Sequence, residues 1–292
     1  MGFSLILTVG LAVLVGLTLG LLGGGGSILM VPLLTYVAGM EPREAIATSL
    51  FVVGVTSLTG VVTHARAGNV RWRTGLVFGA AGMVGAFLGG LLGGHLPGTL
   101  LMVAFALMMV ATAVAMMRAK KKPAAGTKEG RDAIDLRRAV LDGLVVGAVT
   151  GLVGAGGGFL VVPALALLGG LAMPAAVGTS LLVIAMKSFA GLTGYMASVS
   201  LDWPMVLMVT GAAVAGSLLG ALLTSHVPEA VLRQGFGVFV LAMGVLVLAL
   251  ELPSPFGPAL AVIGAALAGL VLLCRLLVEH CPLRPLRTQS RG

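Results

Sequence analysis

Charge is scarce in this chain, and negative charge is the scarcest. Ten Asp and Glu stand against 18 Lys and Arg in 292 residues, so charged residues make up 10% of the sequence. A soluble domain carries about 25%; a chain that is 58% hydrophobic with a mean hydropathy of +1.12 reads instead as an integral membrane protein. Polar/apolar alternation is missing too, which argues against barrel strands. The apolar runs reach the ~20 residues that cross a bilayer as helix. Cysteine is limited to Cys274 and Cys281, one heptad apart, with neither a CxxC nor a His/Cys cluster to suggest a metal site or a disulfide framework. No GxxxxGK[ST] run implies ATP, no nucleophile–base set suggests an enzyme, and no cofactor is expected. The net charge of +8 has no polar domain to present it to nucleic acid. The N-terminal apolar stretch lacks a basic n-region and an A-x-A cleavage site, so it reads as a retained first helix.

The ten acids all fall in loops or at the ends of expected spans, among them Asp142, Glu251 and Glu279. No buried carboxylate is left to ligate a cation or to serve as the usual proton relay. A small anion is therefore the better-matched cargo. A coupling proton or ion would have to use Lys187, a histidine or the cargo itself.

Glycine, by contrast, is abundant, with 45 residues. Two runs stand out inside apolar stretches: Gly20–Pro32 (GLLGGGGSILMVP) and Gly151–Pro163 (GLVGAGGGFLVVP), offset by 131 residues. Four consecutive glycines make a poor helix, since each costs about 1 kcal/mol relative to alanine. Irregular backbone survives at membrane depth only where it is buried in protein or lines a cavity, and a paired break in two halves points to a transporter binding site. The same offset pairs Thr48-Ser49-Leu50 with Thr179-Ser180-Leu181, Ser57 with Ser188, Gly60 with Gly191, Trp72 with Trp203, His95 with His226 and Pro97 with Pro228. This is an internal repeat.

Each half parses alike. A helix enters (3–22, or 138–153), breaks at the glycines, resumes briefly (27–38, or 158–169), and is followed by three spans (45–64, 73–94, 98–118; 175–196, 204–224, 228–250). A last span, 257–278, is unpaired. The loop from Arg118 to Arg138 holds eight of the 18 basic residues, which places it in the cytoplasm. If each glycine break is a hairpin, the halves are inverted, and Arg66, Arg71, Arg73, Arg233 and the arginine-rich tail all fall inside, leaving only Arg43 outside. A continuous crossing at each break would instead put the tail outside. The expected fold is therefore an all-α polytopic membrane protein of two inverted repeats. Each repeat is a glycine-broken helix hairpin plus three transmembrane helices, and one extra C-terminal transmembrane helix follows. The organisation is 1–118 (first repeat), 119–137 (basic cytoplasmic linker), 138–250 (second repeat) and 251–292 (last span and cytoplasmic tail). The ridges Ala81-x3-Gly85-x3-Gly89 and Ala212-x3-Gly216-x3-Gly220 are expected to be helix-packing seams.

Three groups of residues are candidates for chemistry. Gly24, Gly25, Gly26 and Ser27, with Gly156, Gly157 and Gly158, would bare backbone N–H groups at restarted helices, where an anion can approach; close packing is the other reading of these glycines. Lys187 lies mid-span, where a charge costs about 2.5–3.5 kcal/mol and normally faces a cavity; snorkelling or a structural bond to carbonyls at the break are the alternatives. Its repeat partner is Thr56. Thr48, Ser49, Thr179, Ser180 and Ser188 offer hydroxyls, although Ser and Thr within helices often bond back to their own carbonyls. His95 and His226 share a turn context, and His64 sits at the inner end of a span.

The segments GLLGGGGSILMVPLL, IATSLFVV through His64, GLVGAGGGFLVVPAL and VGTSLLVIAMKSFAG resemble the TauE/SafE family of sulfite and organosulfonate exporters, over about residues 8 to 250. The resemblance implies a multi-pass carrier of the bacterial cytoplasmic membrane, built from two repeats, whose proposed substrates are sulfite, sulfoacetate and related small sulfur-containing anions. The cysteine-containing glycine motif of thiosulfate importers is absent. Carriage of another small anion, an anion channel, and uptake rather than export stay open on the residues alone.

Overall fold

The computed structural model describes residues 2–22, 25–118, 136–154, 161, 173–223 and 229–252. The expected last span 257–278, the resumed segment 158–169 apart from Val161, and most of the basic linker lie outside the described residues. Among those described, every regular element is helical. Helix α1 is Gly2–Leu22. The next segment, α2, is composite: a 3₁₀ turn (Gly25–Leu29), a single α turn (Met30–Pro32) and a π turn (Leu33–Val37). Then follow α3 (Pro42–Arg66), α4 (Trp72–Gly93), α5 (Gly98–Arg118), α6 (Leu136–Val153), α7 (Met173–Tyr195), α8 (Trp203–Leu223) and α9 (Glu229–Glu251).

Four stretches are long and apolar enough to cross a membrane: Pro42–Arg66, Trp72–Gly93, Ala175–Tyr195 and Trp203–Ala221; Leu5–Leu21, Gly98–Val114, Val140–Val153 and Gly237–Glu251 are shorter apolar helices. Helix α3 starts earlier than hydropathy alone suggests because Pro42 takes an N-terminal position, where its missing N–H is no loss. The segment after the first glycine run is not the regular helix expected over 27–38. Pro32 lacks an N–H and its ring crowds the carbonyl one turn back. The chain is accordingly tightened to 3₁₀ before the proline and widened to π after it.

Glycine dictates how the helices meet. Along α4, a methyl at Gly85 would strike the backbone of Leu144 and Ala148, and one at Gly89 that of Ala148 and Leu152, so α4 lies against α6 backbone to backbone. Gly216 and Gly220 of α8 meet Val13 and Leu17 of α1 in the same way. Both expected ridges are thus packing seams. Such close approach replaces the hydrophobic drive that lipid cannot supply.

The residue pairings also give helix directions. Rising numbers in α4 meet rising numbers in α6 (Gly85 with Leu144, Gly89 with Leu152) and in α7 (Gly75 with Leu182, Gly79 with Met186, Gly90 with Gly191), so these helices run parallel. Helices α1 and α8 are parallel as well (Gly16 with Ala213, Gly20 with Ser217). Helix α3 runs antiparallel to α7, Gly54 lying on Phe189 and Gly60 on Leu181. The main helix pairs are α4 with α6, α1 with α8, α4 with α7, α3 with α8, α3 with α7 and α5 with α9. Exchanging each helix for its repeat counterpart maps this set of pairs onto itself. The largest buried apolar cluster runs from Ala12 and Val15 through Ile28–Leu34 and α3 to Phe105, Met109, Val240 and Val247.

Candidate functional site: the crossing of α3 and α7

The antiparallel pair α3/α7 crosses with Thr56 and Lys187 midway between its outer contacts, Leu50 on Gly191 at one end and His64 on Gly178 at the other. Lys187 is 1% exposed. Its stem is pressed against α4 at Gly82, where an added Cβ would come within 2.8 Å of the lysine Cδ. Its Nζ donates to Thr150 Oγ1 at 3.2 Å, and that hydroxyl donates in turn to Val146 O at 2.7 Å. An ammonium has three protons to donate; among the described residues one donation is accounted for. Among the described residues, the partner of the ammonium is this neutral hydroxyl, and no carboxylate is paired with it. Of the two structural alternatives, the burial of Lys187 argues against snorkelling, and the carbonyls of the second break between 155 and 160 lie outside the described residues. Ser180 and Gly194, a heptad to either side, share the α7 face that packs on α4, Gly194 lying against Phe87 and Leu91.

The hydroxyls divide into satisfied and orphaned. Ser49 Oγ lies 2.6 Å from Gly154 O and 2.9 Å from Ile46 O, so a serine of the first half holds the carbonyl at the break of the second. Gly154 has φ 74°, a left-handed turn that glycine alone adopts without strain. Thr56 donates to Val52 O at 2.8 Å, Ser180 to Val177 O at 2.7 Å, and Thr179 Oγ1 accepts from the Arg71 backbone N–H at 3.0 Å. Thr48, Ser57 and Ser188, all fully buried, have hydroxyls with no hydrogen-bond partner among the described residues.

Ser57 and Ser188 are repeat counterparts, each one residue beyond Thr56 or Lys187. Ser57 falls on the α3 face that carries Leu50, Gly54, Gly60 and His64 toward α7, and Ser188 on the α7 face that carries Leu181 and Gly191 toward α3. A buried hydroxyl left unpaired costs roughly 1–3 kcal/mol, and two at equivalent places call for an explanation. Ser57 was absent from the sequence candidates although its match to Ser188 was visible; the repeat itself was the signal that identifies it.

Gly25, Gly26 and Ser27 form the 3₁₀ turn, with Ser27 fully buried and Gly26 packed on Thr18 and Leu19 of α1. Gly24, Gly156, Gly157 and Gly158, and His226, lie outside the described residues. His95 Nδ1 donates to Leu91 O at 2.8 Å, the local turn role its context suggests. No group of three or more His, Cys, Asp or Glu able to hold a metal exists among the described residues.

A bundle of apolar helices with a broken segment, a buried cation bonded to a neutral hydroxyl, and orphaned hydroxyls at a central crossing defines an integral membrane protein of the transporter class. The family model "Sulfite exporter TauE/SafE" matches residues 8–247. The chain belongs to the TauE/SafE family of membrane transporters. It is similar to a "Probable membrane transporter protein" of Xylella fastidiosa (strain Temecula1), 35% identical over 251 residues covering 84% of this chain and 95% of that protein. It is also similar to the "Probable membrane transporter protein YdhB" of Bacillus subtilis, 28% identical with 80% and 96% covered. The "Probable membrane transporter protein MJ0441" of Methanocaldococcus jannaschii is 29% identical, with 66% and 74% covered. No solved structure matches the chain at a significant level.

Proposed function

We propose that this transporter is a secondary carrier that exports a small sulfur-containing oxyanion, sulfite or an organosulfonate, across the bacterial cytoplasmic membrane by alternating access. The observation that carries the reading is Lys187, buried on the α7 face toward α4 with a neutral hydroxyl as its hydrogen-bond partner, together with the orphaned hydroxyls of Ser188, the next residue, and Ser57 on the facing helix. Three hydroxyl and ammonium donors without a carboxylate suit an oxyanion: charge-assisted hydrogen bonds are roughly twice as strong as neutral ones. In this reading Lys187 supplies the charge, Ser57 and Ser188 grip oxygens, and Thr48, Ser49, Thr179 and Ser180 shape the surroundings. Backbone N–H groups of the glycine breaks, Gly24–Ser27 and Gly156–Gly158, complete the cradle.

The same reading makes the molecule two inverted repeats with the central loop and the C-terminal tail in the cytoplasm. The antiparallel course of α3 and its counterpart α7 supports inversion. The parallel course of α6 with α4, and of α4 with α7, sets α6 and α7 parallel, as required if the chain turns back at the break rather than crossing through. Movement of one repeat against the other then exposes the crossing to each side in turn.

The test is flux in proteoliposomes loaded with labelled sulfite or an organosulfonate. Saturable flux with counterflow is expected; a current without counterflow would make the protein a channel, and flux of carboxylates in preference to sulfur anions would overturn the substrate. Lys187→Met keeps the length of the stem and is expected to lower flux by at least about tenfold, the loss that matches one charged hydrogen bond of ~1.5–3 kcal/mol.

A further inference from the structure

Repeat symmetry predicts that whatever surrounds Lys187 should recur around Thr56, and it does not. Around Lys187 the helices are closed: Gly90 touches Gly191, Gly194 touches the backbone of Phe87, and Tyr195 fills the space beside Gly93 and donates to Leu152 O at 2.5 Å. Tyr195 is fully buried. The matching positions around Thr56 line a narrow cleft between α1, α3, α7 and α8, where Thr56, Thr59, Thr63, His64 and Ser217 stand among leucines of α1, α7 and α8. The reason is in the sequence. Where α4 has Gly75, Gly79, Gly82 and Gly90, the counterparts on α8 are Val206, Thr210, Ala213 and Ala221, and where α7 has Gly194, α3 has Thr63. Side chains hold α8 off α3, whereas glycine lets α4 lie on α7.

Polarity and exposure both grade along the cleft. Thr56 is buried, Thr59 and His64 are half-buried and Thr63 is exposed, so the three threonines descend one face of α3 from the surface to the level of Lys187. Thr59 donates to Thr56 O at 2.7 Å and Thr63 to Thr59 O at 3.4 Å. These back-bonds leave the lone pairs free and can be exchanged, on rotation, for a charge-assisted bond to an oxyanion. Ionisable groups within spans face the bundle interior or water rather than lipid. The end of α3 that carries His64 also carries Arg66, and Arg71 and Arg73 follow in the next turn of chain, giving the mouth positive charge.

We propose that this cleft is the mouth through which a small oxyanion reaches the α3/α7 crossing from the arginine-rich side, with Thr59, Thr63, His64 and Ser217 as its lining. Tyr195, at the place of His64 in the other half, is the plug that closes the opposite mouth. The molecule is therefore open toward its arginine-rich face. This rests on the carrier reading above, and it is tested without transport. In a chain with Cys274→Ser and Cys281→Ser, the variants Thr59→Cys, Thr63→Cys and Ala190→Cys (the counterpart of Thr59) are exposed in sealed inside-out vesicles to an anionic, membrane-impermeant methanethiosulfonate that itself carries a sulfonate.

Labelling at positions 59 and 63 is expected to be at least about tenfold faster than at 190, since thiol modification follows access. The same reagent added to right-side-out vesicles should leave 59 and 63 unmodified. Equal rates at 59, 63 and 190 would overturn the proposal. So would modification only by a lipid-soluble maleimide, which would make the cleft a groove facing the bilayer. Flux separates the two readings. Absent labelling with intact sulfite flux removes the mouth and leaves the carrier, whereas fast labelling with no flux of any sulfur anion removes the carrier and leaves a water-accessible cleft. Thr63→Cys, at an exposed position, guards against misfolding of the other variants.

Discussion

Two seams that repeat symmetry makes equivalent, α4 on α7 and α3 on α8, are built from different residues and pack differently. The first is a line of glycines whose helices touch at the backbone, with one large side chain, Lys187, wedged where Gly82 makes room for it. The second has valine, threonine and alanine at the matching places, no lysine, and a cleft. A duplicated fold thus holds one closed and one open version of the same contact in a single molecule. On the proposed alternating-access reading each seam must both open and close, and the difference in residues favours the state in which the α3/α8 seam is the open one.

The comparison breaks most severely at Gly90. A Cβ there meets the Gly191 backbone, which has no flexible side chain to yield. Gly90→Val is expected to cost at least ~3 kcal/mol, the upper part of the range for overpacking, read as a large fall in thermal unfolding temperature in detergent. Its counterpart Ala221 borders the cleft, and Ala221→Val should cost less than ~1 kcal/mol. Equal losses would mean that the two seams are equally tight, and the asymmetry would have to be abandoned.

Lys187→Met should move stability the other way. It removes a buried charge whose hydrogen-bond partner is a neutral hydroxyl and keeps the stem on Gly82. A gain of about 2 kcal/mol follows from the ~2.5–3.5 kcal/mol that a mid-span lysine costs. A more stable protein that no longer moves its anion is the signature of a functional charge. If Lys187→Met destabilises the protein instead, Lys187 is a structural tie to Thr150, and the site moves elsewhere.

Much of this was legible before any coordinates. The helices fall within a few residues of their expected bounds because long apolar runs, with Trp72 and Trp203 at span starts, mark the ends plainly; α3 begins three residues early, at Pro42. The ridges through Gly85 and Gly216 are seams because small residues four apart leave no other use for that face. Lys187 stood out by its cost alone. The mixed geometry of α2 was not legible: glycine and Pro32 announce a break without saying whether the chain tightens or widens around it. Ser57 was overlooked because a serine within a helix is ordinarily satisfied by its own backbone, as Ser49 and Ser180 largely are. Only the coordinates separate these from the orphans. The cleft was invisible because periodicity reports which residues share a face, not how far a partner helix stands from it.

Tyr195→Phe sharpens the contrast between the two mouths. It removes the bond to Leu152 O while keeping the ring that fills the space beside Gly93. Loss of one buried hydrogen bond should cost about 1–2 kcal/mol, measured by thermal unfolding. Because the bond belongs to the closed side alone, the same variant should raise labelling at Ala190→Cys and leave Thr63→Cys unchanged. An increase at both positions would show general loosening and not the opening of one mouth.

The smallest effect on stability and the most telling one for function is expected at the paired serines. Ser57→Ala and Ser188→Ala delete hydroxyls that have no hydrogen-bond partner among the described residues, so no partner is orphaned and the change should lie between zero and a gain of about 1 kcal/mol. Ordinary buried serines behave differently: Ser49→Ala would strand the Gly154 carbonyl that Ser49 now holds and should be destabilising. If the two orphans grip an oxyanion, each alanine raises the KM for sulfite by roughly threefold to tenfold, the worth of a hydrogen bond of ~0.5–1.5 kcal/mol. The double variant should compound the loss, since both hydroxyls flank one crossing. Unchanged KM in the double variant would remove the serines from the site and leave Lys187 without the neighbours that make its charge useful.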